Sequence, residues 1–455
     1  MNNSTNCDDG SPDEAVLYGI PRDFYSPNET SLLKRWVPVG AWLHNRGRYG
    51  LEPYQKSTTG KIQPYVVGKL RDGTPFSGVN FASQDYLSLS SHPSLIAAAQ
   101  SAAFDFGVHS AGSSSLMGNC ALSLQLEQKL EEFLQFDECT LFPTGWTAGF
   151  GVVKMLAQAG DHIIIDVLAH ACLQEGAECS AAKIHRFPHL SNEAVERRLQ
   201  RIRNSEPHAG ILVVTETLFS MDSDSPNIAE LQAICSSYDA TLLVDCAHDL
   251  GCIGPTGRGI LEVQSMVGKV DVLMGAFSKT FASIGGFVAT NHRGFRSAMR
   301  ACCGPQTFTN AMTPLQAAVI LEALSIVDSS EGKMLRSKLR QNVDYMRAKL
   351  TEYGFRPTGD PSAIIPVVTG DSARSRKMTN YMSRNGAIVN LVESPAVAKN
   401  QSRWRLQIMA RHTKQHIDTF IDCAKNATAA FPAHALGPRH GVTLPVDGLN
   451  KPEYS

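Results

Sequence analysis

The sequence lacks the features that mark several large classes of protein. It contains no apolar run that approaches the length of a membrane span. Residues 1–10 are polar and acidic, without the basic start and apolar centre of a secretory signal peptide. The formal net charge of −1 provides no general attraction for nucleic acid or anionic membranes. We therefore expect a cytoplasmic protein that acts on small molecules, with no membrane span and no nucleic-acid partner.

Cysteines at the spacing of a metal site or a disulfide framework are also missing. The eleven cysteines are scattered, their total is odd, and no C-x-x-C motif occurs. This distribution argues against a structural zinc site and against a set of stapling disulfides. It indicates a reducing compartment and predicts no bound metal.

What the sequence does have is hydrophobic content, 43% of its residues, much of it in short apolar runs. Between about residues 80 and 288 these runs alternate with helical patterns, which is typical of β-α-β crossover units. Such units build a mostly parallel sheet covered by helices on both faces, so the predicted fold class is α/β. The predicted strands are Cys139–Phe142, His162–Ile165, Lys183–Phe187, Ile211–Thr215, Thr241–Asp245 and Val270–Met274.

The patterns predict two domains between two less regular ends. Residues 80–325 form the predicted large domain with the mostly parallel sheet. After a long helical region the chain changes to separate strands and one helix, which predicts a smaller C-terminal α+β domain over residues 326–430. Residues 1–79, interrupted by Pro and Gly, are predicted to be an N-terminal arm, and residues 431–455 a tail.

One lysine occupies a position that suits covalent chemistry. Lys279 follows the apolar strand around Val272 and precedes a glycine pair that begins at Gly285. Upstream, Asp245 ends another predicted strand, and His248 follows three residues later. We expect these residues at the carboxyl edge of the parallel sheet, which is where α/β proteins bind ligands.

These residue types match what pyridoxal 5'-phosphate (PLP) needs from a protein. The cofactor requires an amine for a Schiff base, an anion beside its pyridine nitrogen, a surface against its ring and donors for its phosphate. Lys279 supplies the amine and Asp245 the anion. Gly145 and Trp146 begin a predicted helix, whose exposed amides favour a phosphate. His170, at the end of another strand, is a candidate to stack on the ring, although structural packing explains it equally well.

Five motifs also occur in the order and spacing of a known enzyme family. They begin at Asn80 (NFASQDYLSLSSHP), Phe219 (FSMDSD), Asp245 (DCAH), Gly257 (GRG) and Phe277 (FSK). Together they make the sequence resemble the α-oxoamine synthases over roughly residues 75–425. The resemblance implies a fold-type I PLP-dependent transferase.

The resemblance implies roles for individual residues. Lys279 would form the Schiff base with PLP and remove a proton, Asp245 would pair with the pyridinium, and His170 would stack on the ring. Arg403 would hold the carboxylate of an amino-acid substrate, with Gln84 close to that substrate. The other implied cofactor contacts are His248 and Ser220 at the ring oxygen, Gly145, Trp146 and Ser278 at the phosphate, and Thr309 and Asn310 across a subunit interface.

Several positions depart from the pattern of the family, and two of them concern the PLP phosphate. Ala276 replaces a threonine that usually contacts the PLP phosphate. Asn310 replaces a threonine that reaches the phosphate of the partner subunit. The two changes predict a modified set of phosphate donors.

The reaction implied by the resemblance is a decarboxylative Claisen condensation. An amino acid and an acyl thioester, carried by coenzyme A or an acyl carrier protein, would give an α-amino ketone in a biosynthetic pathway. A homodimer with the active site at the subunit interface is also implied. Two alternatives stay open. A PLP-dependent aminotransferase or lyase would share the fold, and a non-catalytic partner subunit would explain the changes at Ala276 and Asn310.

Overall fold

The computed structural model describes residues 14–433, whose strands form one sheet of seven strands and one of six. The predicted tail lies outside the described residues from residue 434 onwards, as does the segment 1–10 considered above. Numbered along the chain, the strands are β1 (Ser57–Thr58), β2 (Tyr65–Lys69), β3 (Pro75–Phe81), β4 (Glu138–Phe142), β5 (His162–Asp166), β6 (Lys183–Phe187), β7 (Ile211–Glu216), β8 (Thr241–Asp245), β9 (Val272–Ala276), β10 (Gly286–Thr290), β11 (Ile364–Gly370), β12 (Ala387–Val392) and β13 (Ser402–Gln407).

The helices connect these strands and cover the sheets. They are α1 (Glu14–Tyr18), α2 (Val37–Arg48), α3 (Pro93–Phe106), α4 (Ala121–Leu134), α5 (Gly145–Leu156), α6 (Ala171–Glu178), α7 (Asn192–Ser205), α8 (Ile228–Ser237), α9 (Gly259–Val263), α10 (Phe295–Cys302), α11 (Gly304–Thr307), α12 (Pro314–Val327), α13 (Ser330–Glu352), α14 (Ser372–Arg384) and α15 (Lys414–Ala430). Short 3-10 helices span Pro21–Phe24 and Lys34–Trp36. Among the residues that the structure describes, no helix combines the length and apolar character needed to cross a membrane.

The larger sheet has the predicted α/β architecture. Its strands lie in the order β4-β10-β9-β8-β7-β5-β6. The pairs between β9, β8, β7, β5 and β6 are parallel, whereas β10 is antiparallel to both β9 and β4. All six predicted strands are present, and the predicted mostly parallel sheet is confirmed. The sequence patterns did not indicate β10.

Both faces of the larger sheet are buried, which explains why its strands were readable as apolar runs. Successive side chains of a strand point to opposite faces. In β5, Ile164 belongs to one hydrophobic core, whereas Ile163 and Ile165 belong to the other, and all three are fully buried. A strand with two buried faces must be apolar at nearly every position.

The smaller sheet joins distant parts of the chain, in the order β1-β2-β3-β12-β13-β11. The link is a parallel pairing of β3 with β12, in which Val79 lies opposite Ala387. The approach is close, because a Cβ on Gly78 would lie 2.4 Å from the carbonyl of Gly386. The predicted arm, residues 1–79, thus contributes strands to the sheet of the smaller domain through its described part, between residues 57 and 79. The exact domain boundaries stay a prediction.

A buried charge cluster attaches the N-terminal helices to this smaller domain. Glu393 receives Arg376 Nε at 2.7 Å and Arg46 Nη2 at 3.3 Å, and it also accepts the hydroxyl of Tyr54 at 2.9 Å. The guanidinium of Arg46 lies over the ring of Trp42 at 4.7 Å. Buried charges are tolerated when they are paired in this way. The described part of the N-terminal segment is therefore folded structure that packs on the smaller domain.

Candidate active site

The strand directions of the larger sheet bring separate motifs to one edge. β4, β8 and β9 run in the same direction, so the segments that follow them emerge at the same edge of the sheet. Gly145 and Lys279 lie in these segments, and Asp245 is the last residue of β8. Lys279 interacts electrostatically with Asp245, as expected for two side chains at one edge.

Lys279 and Asp245 form the charged centre of this edge. Asp245 is 5% exposed, and its Oδ1 accepts a hydrogen bond from the amide of Ala247 at 2.8 Å. Burial raises the pKa of Asp245, and the charges of His170 and Lys279 oppose that rise. Burial lowers the pKa of Lys279, and the carboxylate of Asp245 opposes that fall. The lowered pKa favours the neutral amine, which is the form that acts as nucleophile or base.

Glu216 is a second buried carboxyl group beside Asp245, and sequence reasoning missed it. The two residues lie opposite each other at the ends of β7 and β8. Glu216 Oε1 accepts the backbone amide of His170 at 2.6 Å. Burial, reinforced by the charge of Asp245, raises the pKa of Glu216 well above its usual range. The hydrogen bond to Glu216 fixes the backbone of His170, and the raised pKa of Glu216 favours leaving the negative charge of the pair on Asp245.

His170 lies at the start of α6 with its ring accessible. Its Nδ1 accepts the amide of Cys172 at 3.3 Å and contacts Cys172 Sγ at 3.0 Å. The ring packs edge-to-face on Trp146, with centroids 5.8 Å apart and planes at 75°. These contacts hold an exposed aromatic ring in a fixed position, as a stacking role requires.

The turn between β4 and α5 is the candidate phosphate site. Thr144 caps the helix, since its Oγ1 accepts the amide of Thr147 at 3.1 Å. The first amides of the helix, at Gly145 and Trp146, have no acceptor within the helix and are available to an anion. A Cβ on Gly145 would lie 2.4 Å from the Cβ of Ala276. Ala276, which replaces the threonine usual in the family, therefore lies directly against the turn that forms the candidate phosphate site.

His248 lies behind the same site, buried and hydrogen-bonded to a tyrosine. Its Nδ1 is 3.1 Å from the hydroxyl of Tyr86. Burial, together with the charges of Lys279 and Arg405, lowers the pKa of His248 well below its usual value. The imidazole is therefore neutral near pH 7.

The predicted substrate contact of Arg403 stays a prediction, and Arg403 has other partners in this structure. Its guanidinium is already paired with the carboxylate of Asp222 and donates to the carbonyls of Met221 and Gln401. Arg405, two residues along β13, occupies the better position. Its Nε donates to the carbonyl of Ser220 at 2.6 Å, while its Nη2 is buried with no partner among the described residues.

Arg405 also belongs electrostatically to the group of charged side chains around Lys279, Asp245 and His170, which we call the cleft. Its charge acts on Lys279, His248 and His170, and burial lowers the pKa of its own guanidinium. Side chains on one β-strand alternate between faces, so Arg403 and Arg405 share a face but lie about two residues apart along it. This separation allows Arg403 to form the ion pair with Asp222 while Arg405 lies in the cleft.

The remaining predicted residues occupy varied positions. Ser220 and Gln84 are half-buried, and Ser278 is exposed. Thr309 donates its hydroxyl to the carbonyl of Pro305, which leaves its oxygen free only as an acceptor in that arrangement. The Nδ2 of Asn310 lies 3.3 Å from His109 Nε2. The predicted cofactor roles of these residues stay predictions.

Comparison with known proteins places this geometry in a family. Residues 77–423 match the family described as aminotransferase class I and II. Serine palmitoyltransferase from Sphingobacterium spiritivorum is 34% identical over 349 residues, which cover 75% of this chain and 84% of that protein. 8-Amino-7-oxononanoate synthase from Thermoanaerobacter pseudethanolicus is 31% identical over 351 residues, which cover 75% of this chain and 86% of that protein.

A solved structure also shows the similarity to serine palmitoyltransferase. Serine palmitoyltransferase from Sphingomonas wittichii superposes with a TM-score of 0.82 at 28% identity, covering 88% of this chain and 99% of that chain. The chain is an α-oxoamine synthase. The predicted family, the fold-type I transferase fold and the dependence on PLP are thereby confirmed.

The donor set of this α-oxoamine synthase fits PLP. Lys279 offers an amine of lowered pKa, and Asp245 a buried carboxylate on the neighbouring strand. The amides of Gly145 and Trp146 suit the phosphate, and the accessible ring of His170 suits the pyridine face. A solved serine palmitoyltransferase structure that contains PLP shares this fold, with a TM-score of 0.82 at 29% identity.

Three site residues of the synthase escaped sequence reasoning. Tyr86 belongs to a motif that supported the resemblance, but nothing local showed that it reaches His248. Glu216 ends a buried strand as Asp245 does, which is a usable signal. Arg405 follows Arg403 in the same strand, and only the position of the loop at Ser220 distinguishes the two.

Proposed function

We propose that the protein is a PLP-dependent acyltransferase that condenses an amino acid with an acyl thioester and releases carbon dioxide. The product is an α-amino ketone. The observation that carries the proposal is the unpaired Nη2 of Arg405, buried in the cleft that contains Lys279 and Asp245. A buried guanidinium without an acceptor is costly unless an anion pairs with it, and a substrate carboxylate meets that need.

The residues of the chain bind the amino acid, orient it and move its proton. Arg405 binds the carboxylate through the free Nη2, and this contact directs the α-carbon towards Lys279. The Nζ of Lys279 takes the α-proton, a task that its lowered pKa favours. PLP, when bound, supplies the electron sink that stabilises negative charge on the α-carbon. Asp245 would place its carboxylate beside the cofactor nitrogen, and His170 would cover the cofactor ring.

The remaining bonds balance without an oxidant. The α-carbon forms a bond to the thioester carbonyl, the carbon–sulfur bond breaks, and the thiol leaves. The bond between the α-carbon and its carboxylate then breaks to release carbon dioxide, and the α-carbon takes up a proton in place of the one that Lys279 removed. The names of two relatives, serine palmitoyltransferase and 8-amino-7-oxononanoate synthase, support an acyl group and an amino acid as the substrate classes.

A product assay tests this function. Purified protein with added PLP is incubated with each standard amino acid and with coenzyme A thioesters of increasing chain length. We expect release of thiol and carbon dioxide in equal amounts for at least one pair, since each condensation forms one of each. Thioesters on an acyl carrier protein are assayed in parallel because the carrier is not fixed by the site.

The alternatives give different results in the same assay. An aminotransferase would form a keto acid from the amino acid without releasing thiol. A non-catalytic subunit would release neither product as an isolated protein, even with PLP bound. Either result would reject the proposed condensation.

We also propose that the protein is a homodimer with the active site at its interface. Large apolar side chains are exposed on segments that adjoin the site, including Phe308 at 87% and Leu116 at 85% exposure. The segments are joined, because the amide of Ala311 donates to the carbonyl of Gly112 at 2.8 Å. Apolar patches of this kind indicate a protein partner, and a second copy is the commonest one.

Replacing Phe308 with aspartate is expected to weaken this dimer and lower activity. A charge placed in an apolar interface is poorly solvated, so the monomer becomes the favoured form. Light scattering coupled to size exclusion measures the mass, and thiol release measures the activity. Leu33→Asp, at a site in the N-terminal segment that is 84% exposed, makes the same change outside these two segments and is the comparison variant. A fully active wild-type monomer would reject the proposed interface.

A further inference from the structure

The contact between Tyr86 and His248 has a defined chemical consequence. Tyr86 is 0% exposed and His248 is 7% exposed, and Tyr86 Oη lies 3.1 Å from His248 Nδ1. Tyr86 precedes α3 in the chain, whereas His248 follows β8. Two segments far apart in sequence thus converge to make one buried hydrogen bond beside the cleft.

Both partners of this bond are neutral. Burial raises the pKa of the Tyr86 phenol and lowers the pKa of the His248 imidazole. A neutral phenol carries one proton to donate, and a neutral imidazole has one protonated and one unprotonated nitrogen. The direction of the bond therefore decides which imidazole nitrogen carries the proton.

The surroundings favour donation from Tyr86. Among the described residues, His248 is the only hydrogen-bond partner recorded for the phenol. If His248 Nδ1 were the donor, the buried hydroxyl proton would have no acceptor there, which costs free energy. Donation from Tyr86 to Nδ1 instead places the imidazole proton on Nε2, on the opposite side of the ring.

The Nε2 atom is free to serve the site. It makes no hydrogen bond to other described residues, and it retains some accessible surface. The charges that act on the imidazole are those of Lys279, Arg405 and His170, which all belong to the cleft. The imidazole therefore lies beside these charged groups, and Nε2 is its one nitrogen without a hydrogen bond to the described residues.

We propose that Tyr86 is a positioning residue that holds His248 as the Nε2–H tautomer, so that the imidazole presents a hydrogen-bond donor to PLP. The inference rests on the proposed function, because the donor matters only in a site that holds the cofactor. It assigns to Tyr86 no contact with substrate or cofactor.

The first test measures the imidazole itself in PLP-free protein. Deuterium exchange at the C2 position of histidine, followed by mass spectrometry across a pH series, reports the pKa of each imidazole. Loss of the phenol donor in Tyr86→Phe removes a bond that stabilises the neutral ring, so the pKa of His248 should rise. The matched control is Tyr345→Phe, which removes a phenol bonded to Asp418 at 2.8 Å and should leave His248 unchanged.

A second measurement covers the case in which Tyr86→Phe fails to fold. In wild-type protein labelled with ¹⁵N-histidine, the two-bond proton–nitrogen correlation pattern identifies the tautomer of His248. The signal is assigned by its loss in His248→Gln. An Nδ1–H pattern in the wild type would overturn the proposal, as would an unchanged pKa of His248 in folded Tyr86→Phe.

Cofactor binding supplies a third readout. We expect Tyr86→Phe to bind PLP about 3- to 10-fold more weakly, as loss of one well-placed hydrogen bond predicts, and to alter the pH dependence of its visible absorption. The exchange experiment needs no turnover, so it tests the tautomer of His248 separately from the condensation activity. If thiol release never occurs but the pKa of His248 rises as expected, the condensation is rejected and the tautomer assignment stands.

Discussion

Replacing Lys279 with alanine is expected to abolish thiol release, by about 1,000-fold or more. The variant loses both the amine that holds PLP covalently and the base that takes the α-proton. It should also lose the lysine-dependent visible absorption of bound PLP. Assays of thiol release and absorption spectra of the same preparation, with and without added PLP, measure both effects.

Two further variants separate the chemistry of Lys279 from its charge. Lys279→Arg keeps a cation near Asp245 but has no amine that is neutral at pH 7, so it should be as inactive as alanine. Lys269→Ala removes an exposed lysine that donates to the carbonyl of Ser265 and should change neither readout. Retained thiol release in Lys279→Ala would show that another group carries the proton and would reject the assignment.

The strands of the larger sheet were predictable because the burial of both faces leaves a local pattern of apolar residues in the sequence. A parallel strand with two buried faces must be apolar almost throughout, so β5, β7 and β8 are visible as short hydrophobic runs. β10 was missed because it begins at Gly286, directly after a turn that the sequence also shows as glycine-rich. A glycine pair indicates a turn more strongly than a strand.

The smaller sheet depends on contacts that no local pattern contains. The pairing of β3 with β12 joins Val79 to Ala387, and each strand alone has several suitable partners. The buried pairing of Arg46 with Glu393 is equally distant along the chain. Charged residues in a sequence normally indicate solvent exposure, so nothing marked these two as buried.

The residues of the predicted site also fall into two groups, those that a local sequence pattern predicts and those that it does not. Lys279 and His170 follow strands of the larger sheet and Asp245 ends one, so the rule that ligands bind at carboxyl ends applies to them directly. Tyr86 and Arg405 reach the site from outside that sheet. Their roles required the relative placement of the two sheets.

The choice between Arg405 and Arg403 gives the sharpest test of that placement. Arg405→Gln is expected to lower kcat/KM for the amino acid by about 100-fold, which corresponds to about 3 kcal/mol. The reason is that glutamine keeps a donor but loses the charge and the two-point geometry that suit a carboxylate. Most of the loss should appear as a higher KM for the amino acid, with the KM for the thioester nearly unchanged.

Arg403→Gln is the matched control, since it makes the same substitution two residues away. It breaks the ion pair with Asp222, whose side chain is 33% exposed, and such partly exposed pairs contribute about 1 kcal/mol or less. We therefore expect at most about a tenfold change in kcat/KM. Because Asp222 and Ser220 share one loop, a part of that change comes through the carbonyl that receives Arg405 Nε. A larger loss in Arg403→Gln than in Arg405→Gln would return the carboxylate contact to Arg403 and remove the observation on which the proposed function rests.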